Sequence, residues 1–322
     1  MKSGTLFLLY TALLCVAGPA FAAGLTKAYS MAFHACNATT STTYCGNPAE
    51  HTTHIAESDD GATWTQIPGF YSGWAGSVPD LVIRGTTIYV YNPSTVTRIN
   101  KGSGGLVSSN TVTITTSTGA AVSYVDPSPY LDPATGKIVL FYLDSTGIMG
   151  DPAGCGGVYP CYKYFRSATE TGSQGRTFVQ DSGYRMMVTI ASAADPVGIM
   201  ASDPDIFYDG SNYYQLVARG MKVQIFTSTT LTGSYTPVVG SLTDGVLVNG
   251  TSGVAAGHYD SATAKYWLYA HDALSPSVIR MAVVNNLTTT LYNTDFATVL
   301  NVFSAGLNPL NYSVSSPGFH AN

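Results

Sequence analysis

The segment that decides the fold is S-D-P-D-I-F-Y-D-G-S-N-Y-Y-Q-L-V, residues 202–217. Its two strand-prone runs flank the turn-forming residues Asp209 to Asn212, a pattern that predicts a β-hairpin. Other segments share its order of a polar or proline-containing start, an apolar run, a turn and an aromatic-rich run: residues 77–91, 125–142 and 253–269. We therefore expect the chain to repeat one hairpin-based unit.

The spacing of these units indicates a β-propeller. Pro79 and Pro127 lie roughly 50 residues apart, and about four short strands per unit at this period are typical of propeller blades. Two further strand-like runs indeed follow the hairpins at 125–142 and 202–217. The interval from Pro127 to Pro204 is longer because it contains residues 147–161, which we interpret as a loop insertion.

The two ends of the chain are expected to share one blade. Residues 29–70 supply strands two to four of a unit that lacks its first strand. The C-terminal run N-P-L-N-Y-S-V, residues 308–314, repeats the X-Pro start, so we expect it to complete that first blade. A strand placed there would close the ring and remove open sheet edges. The predicted fold is all-β, a five-bladed β-propeller formed as one domain by residues 23–322.

The composition of the 322 residues excludes several classes of protein. Only 10% are charged, against roughly 25% in an ordinary soluble domain. Glutamate occurs only as Glu50, Glu57 and Glu170, which disfavours long helices. The hydrophobic fraction of 45% disfavours disorder, and the net charge of −5 without a Lys/Arg cluster disfavours nucleic acid as a partner. We expect a hydroxyl-rich surface and a carbohydrate as the partner, bound by a monomer.

The N-terminus has the pattern of a secretory signal. Lys2 precedes an apolar run from Leu6 to about Gly18, and Ala20 and Ala22 form an A-x-A cleavage pattern. This run is shorter than the ~20 residues that a membrane span needs. We therefore predict that residues 1–22 are removed and that the mature protein is secreted or periplasmic, without a membrane anchor.

Cleavage would remove Cys15 and leave four cysteines. Four cysteines allow three pairings. We favour Cys36–Cys45 and Cys155–Cys161, because each pair encloses a short loop rich in turn-forming residues. An oxidising compartment favours disulfides over a zinc site.

A turn motif supports the propeller. The run S-D-D-G-A-T-W, residues 58–64, resembles the Asp box of sialidase-type propellers in a variant one residue short. Its Asp60 and Gly61 are expected to form a tight turn while Trp64 packs into the blade. Such turns lie at the blade periphery, so we interpret Asp60 as structural.

Polar residues recur at the starts of the first strands. Because the innermost strands of a propeller converge on its axis, these side chains are expected to line one funnel: Asp80, Asp126, Asp203, Asp205, His258 and Asn308. Crowded carboxylates raise one another's pKa. Such pairs can act as acid and base in cleaving a glycosidic bond.

In these motifs the chain resembles the five-bladed propellers of glycoside hydrolase family 43. Val125-Asp126-Pro127 with the following Gly136-Lys137 is similar to the family's I-D-P-x-x-F-x-D-x-D-G-K segment, and Val78-Pro79-Asp80 is similar to its W-A-P-D. The run 226–235 resembles the outer strands a-x-S-x-S-L-x-G-P-F. Ala256-Gly257-His258, followed by the run 266–272, resembles G-H-x-S with a later W-x-L-V-Y-H-A.

The resemblance implies roles for the funnel residues. Asp126 takes the position of the carboxylate that tunes the catalytic acid, and His258 takes that of a histidine that helps to hold a central metal ion, often calcium. The family's catalytic Glu is replaced by Ser202-Asp203-Pro204, and its N-terminal base is missing, so Asp203 or Asp205 becomes the acid and Asp80 the leading base.

The function expected from the sequence is hydrolysis of arabinan- or xylan-type saccharides. Three residues are predicted to bind the substrate: Trp74, Arg219 and Asn308. The alternative is a carbohydrate-binding or adhesion propeller that has lost the acid/base pair. A sialidase is a weaker interpretation, because the arginine cluster that grips a sugar carboxylate is missing.

Overall fold

A computed structural model describes residues 24–43, 45–67, 69–148, 150–238, 245–250, 252–272, 277–300 and 311–322. The predicted signal peptide, residues 1–22, and the predicted substrate-binding residue Asn308 lie outside these ranges. Within them, no helix is long and apolar enough to cross a membrane.

The described residues form strands and two short 3-10 turns. The first blades contain β1 (Tyr29–Asn37), β2 (Thr52–Ser58), β3 (Thr65–Gln66), β4 (Trp74–Ala75), β5 (Asp80–Arg84), β6 (Thr87–Asn92), β7 (Thr95–Asn100), β8 (Leu106–Thr111), β9 (Thr113–Thr115), β10 (Tyr124–Leu131), β11 (Ile138–Asp144), β12 (Cys161–Glu170), β13 (Thr177–Gln180) and β14 (Met186–Ile190). The later blades contain β15 (Ser202–Tyr208), β16 (Tyr213–Ala218), β17 (Lys222–Ser228), β18 (Thr236–Pro237), β19 (Val246–Asn249), β20 (Ser252–Asp260), β21 (Lys265–Asp272), β22 (Ile279–Val284), β23 (Leu291–Tyr292), β24 (Ala297–Leu300) and β25 (Tyr312–Ala321). The 3-10 turns are Pro48–Glu50 and Asn293–Asp295.

The strands assemble into five sheets, which are the blades of a propeller. From the inner strand outward, the first four strands of the five sheets are β25-β1-β2-β3, β5-β6-β7-β8, β10-β11-β12-β13, β15-β16-β17-β19 and β20-β21-β22-β24. The first strand of each sheet is the innermost, and β5, β10, β15, β20 and β25 contact one another in a closed circle. The predicted all-β, five-bladed propeller is confirmed.

The C-terminal strand closes the ring, as predicted, but lies further along the chain than expected. Strand β25 pairs antiparallel with β1, with Met31 opposite Phe319 and Cys36 opposite Ser313. The sequence prediction placed this strand at residues 308–314. The X-Pro signal occurs twice near the C-terminus, and the copy within the closing strand is Ser316-Pro317, not Asn308-Pro309.

Five hydrophobic clusters hold the blades together, one between each pair of neighbours. The strands that feed them are apolar on both faces; in β11, six consecutive residues from Ile138 to Leu143 are buried. Blades one and two, for example, bury Ile55 against Leu81 and Ile88. A blade that is covered on both sides needs such continuous apolar runs rather than strict alternation.

The loops contain the two predicted disulfides and the predicted Asp-box turn. The disulfides pair Cys36 with Cys45 and Cys155 with Cys161, as predicted. In the Asp-box variant, Asp60 Oδ1 accepts hydrogen bonds from the amides of Ala62 and Thr63 at 2.8 and 2.6 Å. Trp64 packs into the cluster between the first and fifth blades.

The ring closure predicts a steric test at Gly318. A Cβ atom at this position would lie 2.4 Å from Asp80 Oδ1 and 2.5 Å from Asp80 Cα, so β25 approaches β5 too closely for a side chain. Gly318→Ala should lower the free energy of unfolding by about 1–3 kcal/mol, the usual cost of overpacking. Urea denaturation measures this change.

Gly105→Ala is the matched control, because a Cβ there meets only Ser103 Oγ at an ordinary 3.5 Å. Equal stability of the two variants would contradict the close approach of β25 to β5.

Candidate active site

The starts of the inner strands meet at one end of the propeller axis. A cavity there is lined by residues from all five inner strands or the residues just before them: Val78, Pro79, Asp80, Asp126, Pro127, Asp203, Pro204, Asp205, Val254, Ala255 and Pro317. The structure therefore brings together all four aspartates that the sequence placed in the funnel. We call this group, Asp80, Asp126, Asp203 and Asp205, the axial carboxylates.

Four of the five segments reach the axis in the same unusual conformation. The residue before the proline has a positive φ in each: Val78 (44°), Asp126 (53°), Asp203 (47°) and Ser316 (53°). The strand register shifts beside the last three, as at a β-bulge. Left-handed conformations of residues other than glycine are strained and cluster at functional sites. Three of these residues, Val78, Asp126 and Asp203, line the axial cavity.

Neighbouring side chains accept the amide hydrogens of three of these strained residues. The amide of Val78 donates to His34 Nδ1 at 3.2 Å, and that of Ser316 donates to His271 Nδ1 at 3.4 Å. Burial lowers the pKa of His34 well below its usual range and that of His271 to about 4, so both rings are neutral acceptors at pH 7. Sequence reasoning assigned neither histidine a role: His34 belongs to no motif, and His271 entered only as part of the run 266–272.

Asp126 and Asp203 form one pair, and each is the residue before the proline in its X-Pro pair. Asp126 Oδ2 accepts a hydrogen bond from the amide of Asp203 at 3.4 Å, and Ser202 Oγ donates to Asp203 Oδ2 at 2.5 Å. Burial raises the pKa of Asp126 well above its usual range, and the nearby Asp203 and Asp151 carboxylates raise it further. Burial also raises the pKa of Asp203, to about 6. The pair therefore keeps a proton at a pH where ordinary aspartates have lost theirs.

Asp80 and Asp205 form a second pair, each two residues further along its strand. Asp80 Oδ1 accepts from the amide of Leu81 at 2.7 Å, and Asp205 Oδ2 accepts from the amide of Gly257 at 2.8 Å. Burial, followed by the charge of Asp205, raises the pKa of Asp80 well above its usual range. Burial raises the pKa of Asp205 to about 7.

The cavity between the axial carboxylates is narrow. Its volume of about 20 Å³ is enough for one water molecule and too small for a sugar ring. A saccharide would therefore have to lie across the mouth, next to Asp126 and Asp203.

The predicted insertion forms one wall of this end of the axis. The carbonyl of Ala153 accepts from the amide of Ala201 at 3.1 Å, which ties the insertion to the segment that leads into Asp203. Inside the loop, the buried Lys163 ammonium donates to the carbonyls of Pro152, at 2.6 Å, and Gly154. Sequence reasoning gave Asp151 no role in the funnel, whereas its carboxylate raises the pKa of Asp126.

Two predicted substrate-binding residues lie outside the axial cavity. The indole of Trp74 donates to Asn92 Oδ1 at 3.1 Å and stacks on Tyr71, 5.3 Å between ring centroids. Arg219 is 2% exposed, and its guanidinium donates to the carbonyls of Met200 and Gly198 at 2.9 and 2.7 Å. Through these contacts Arg219 supports the loop before Asp203.

The predicted calcium site does not fit the residues that are present. His258 lies toward the other end of the axis, where its ring packs between Phe319, at 4.7 Å, and Trp267, at 5.2 Å. Calcium takes six to eight oxygen ligands, and this environment supplies aromatic carbon. In the described part of the chain, no group of three or more His, Cys, Asp or Glu side chains could hold a metal ion. We therefore assign His258 no metal and derive no step through one.

Several solved structures share this architecture. The GH43_1 enzyme from Xanthomonas citri complexed with xylotriose aligns with a TM-score of 0.53 at 16% identity, over 75% of this chain and 82% of that one. The RS223 β-xylosidase gives a TM-score of 0.53 at 13% identity, over 84% of this chain and 96% of that one.

CoXyl43, a β-xylosidase/α-arabinofuranosidase from a compost microbial metagenome in a calcium-free form, gives a TM-score of 0.51 at 13% identity, over 84% of this chain and 94% of that one. No family model and no curated protein matches the sequence. At these identities the likeness establishes the fold.

The raised pKa of Asp205 predicts a pH-dependent cost in stability. Between about pH 4 and 7 the folded protein holds a proton on Asp205 that the unfolded chain has released, so this group lowers the free energy of unfolding as the pH rises. Asp205→Asn cannot ionise and keeps an acceptor for the Gly257 amide. It should be more stable than the wild type at pH 8, by roughly 2–4 kcal/mol, with a smaller difference at pH 4.5.

Urea denaturation at the two pH values measures this difference, and contributions from the buried histidines cancel in the comparison. Asp59→Asn, at an exposed position on the Asp-box turn, should follow the wild type throughout. A difference between Asp205→Asn and the wild type that does not change with pH would show that Asp205 ionises normally.

Proposed function

We propose that this protein is a glycoside hydrolase that uses Asp126 and Asp203 as its acid–base pair. The observation that carries the proposal is their juxtaposition: two carboxyl groups on neighbouring inner strands, both with raised pKa values, held in strained conformations at one end of the axis. Asp80 and Asp205, which the sequence also suggested for acid–base roles, do not have the strained positive φ of Asp126 and Asp203.

The proposed reaction needs one protonated and one ionised carboxyl group. The protonated member of the pair donates its proton to the glycosidic oxygen as the bond from that oxygen to the anomeric carbon breaks. A water molecule attacks the anomeric carbon, and the ionised member accepts the proton that this water loses. Because the two carboxyl groups repel each other's charge and both are buried, the pair keeps one proton near neutral pH.

The proposed substrate is a neutral saccharide of xylan or arabinan type. The residues that line the cavity include no lysine or arginine, so an anionic sugar finds no counter-ion there. Enzymes of similar fold are named as β-xylosidases and are seen with xylotriose, which supports xylan fragments as the first substrates to test.

We also propose that the protein acts outside the cytoplasm. The A-x-A pattern after an apolar N-terminal run supports export. The disulfides Cys36–Cys45 and Cys155–Cys161 support an oxidising compartment.

A second candidate function is saccharide binding without hydrolysis. The observation that favours it is the narrow cavity of about 20 Å³, whose lining residues include no glutamate. An aspartate is one methylene shorter than a glutamate, and an error of about 1 Å in placing an acid can reduce a rate about 100-fold.

Turnover by point variants distinguishes the two candidates. The wild type should release reducing sugar from xylan or arabinan, or aglycone from aryl xylosides or arabinosides. Asp126→Asn and Asp203→Asn should each lose about 100- to 1000-fold in kcat, the usual contribution of a general acid or base. Assays of initial rate at saturating substrate measure the loss.

Asp59→Asn is the control and should keep wild-type turnover. Wild-type protein that binds xylan fragments but hydrolyses none of the substrates would select the binding function. Turnover that survives in both Asp126→Asn and Asp203→Asn would contradict the assigned pair.

A further inference from the structure

A second cavity opens at the opposite end of the propeller axis. Its volume is about 340 Å³, and it is lined by the later residues of all five inner strands. We call it the distal cavity and define it by Tyr130, Tyr208, His258, Phe319 and His320. None of the axial carboxylates lines it, so it is separate from the proposed active site.

Four polar side chains of the distal cavity have no hydrogen-bonding partner within the described ranges. They are the imidazoles of His258 and His320 and the phenols of Tyr130 and Tyr208. Burial lowers the pKa of both histidines to about 4, so each neutral ring offers one donor and one acceptor at pH 7. These groups are accessible to solvent, Tyr208 with 39% of its surface exposed. A ligand that carries several hydroxyl groups could therefore reach all four from the cavity.

The remaining walls are apolar. Phe207 and Phe319 are the aromatic residues among them, and the others are aliphatic, proline or glycine residues. The Phe319 ring lies 4.7 Å from the His258 ring, between centroids. No aspartate, glutamate, lysine or arginine is among the lining residues. The walls therefore suit a neutral ligand whose ring has apolar faces.

We propose that the distal cavity is a second, non-catalytic binding site for a neutral sugar. A sugar ring combines apolar faces, which stack on aromatic side chains, with a polar edge of hydroxyls, which the two imidazoles and two phenols can bind. The cavity volume lies at the lower end of the range for ligand sites and accommodates one or two sugar units. This site does not depend on hydrolysis at the axial carboxylates.

The test uses D-xylose and L-arabinose, monosaccharides that contain no glycosidic bond to hydrolyse. Wild-type protein labelled with ¹⁵N on histidine is titrated with each sugar at pH 7, and the imidazole resonances are followed by NMR. Saturable shifts are expected for His258 and His320 with at least one sugar, while His34 and His54 remain unchanged.

Variants then locate the binding. Tyr208→Phe and His320→Phe each keep an aromatic ring at the position and remove the polar atoms. Each should therefore weaken the sugar affinity about 5- to 10-fold. Tyr292→Phe, at an exposed tyrosine outside the cavity, should bind as the wild type does.

The proposal is overturned if neither sugar shifts the His258 and His320 resonances, or if both cavity variants keep the wild-type affinity. Failure of the proposed hydrolase activity would leave these shifts intact, because they report on the other end of the axis.

Discussion

The antiparallel pairing of β25 with β1 is the interaction on which the rest of the structure depends. It joins the two ends of the chain in one blade, so that every blade buries both faces against a neighbour. It also places Ser316-Pro317 beside the other strand starts and brings Gly318 against Asp80. A ring that lacked β25 would have an open blade and no fixed axis. The spacing of the axial carboxylates would then be lost.

Within the closed ring, strained backbone conformations and buried polar side chains occur together at the axis. The left-handed residues Val78, Asp126, Asp203 and Ser316 would each cost on the order of 1–3 kcal/mol. The structure supports three of them with acceptors for their amides, two of which are the neutral imidazoles of His34 and His271. The third acceptor is Asp126 itself, so the support of Asp203 and the proximity of the two carboxyl groups have the same origin.

Much of this arrangement could be predicted from the sequence, because it depends on local sequence patterns. Hairpin runs, turn residues and the recurring X-Pro start can each be recognised within one segment, and together they predicted the blades and all four axial carboxylates. The contacts of Arg219 could not be predicted, because a loop supplies its carbonyl partners, Met200 and Gly198. The surroundings of His258 could not be predicted either, because the fold places this residue among aromatic rings at the far end of the axis. The contribution of Asp151 could not be predicted, because the folding of the insertion brings it to Asp126.

The central claim is that the axial carboxylates as a group retain protons near neutral pH. A ¹³C NMR titration of the side-chain carboxyl carbons in aspartate-labelled protein tests this claim most directly, with Asp126→Asn and Asp203→Asn used to assign the signals. The structure predicts that Asp203 and Asp205 ionise with pKa values of about 6 and about 7, and that the pKa of Asp126 also lies well above its usual range. Ionisation of all four axial carboxylates below pH 4.5 would contradict the account.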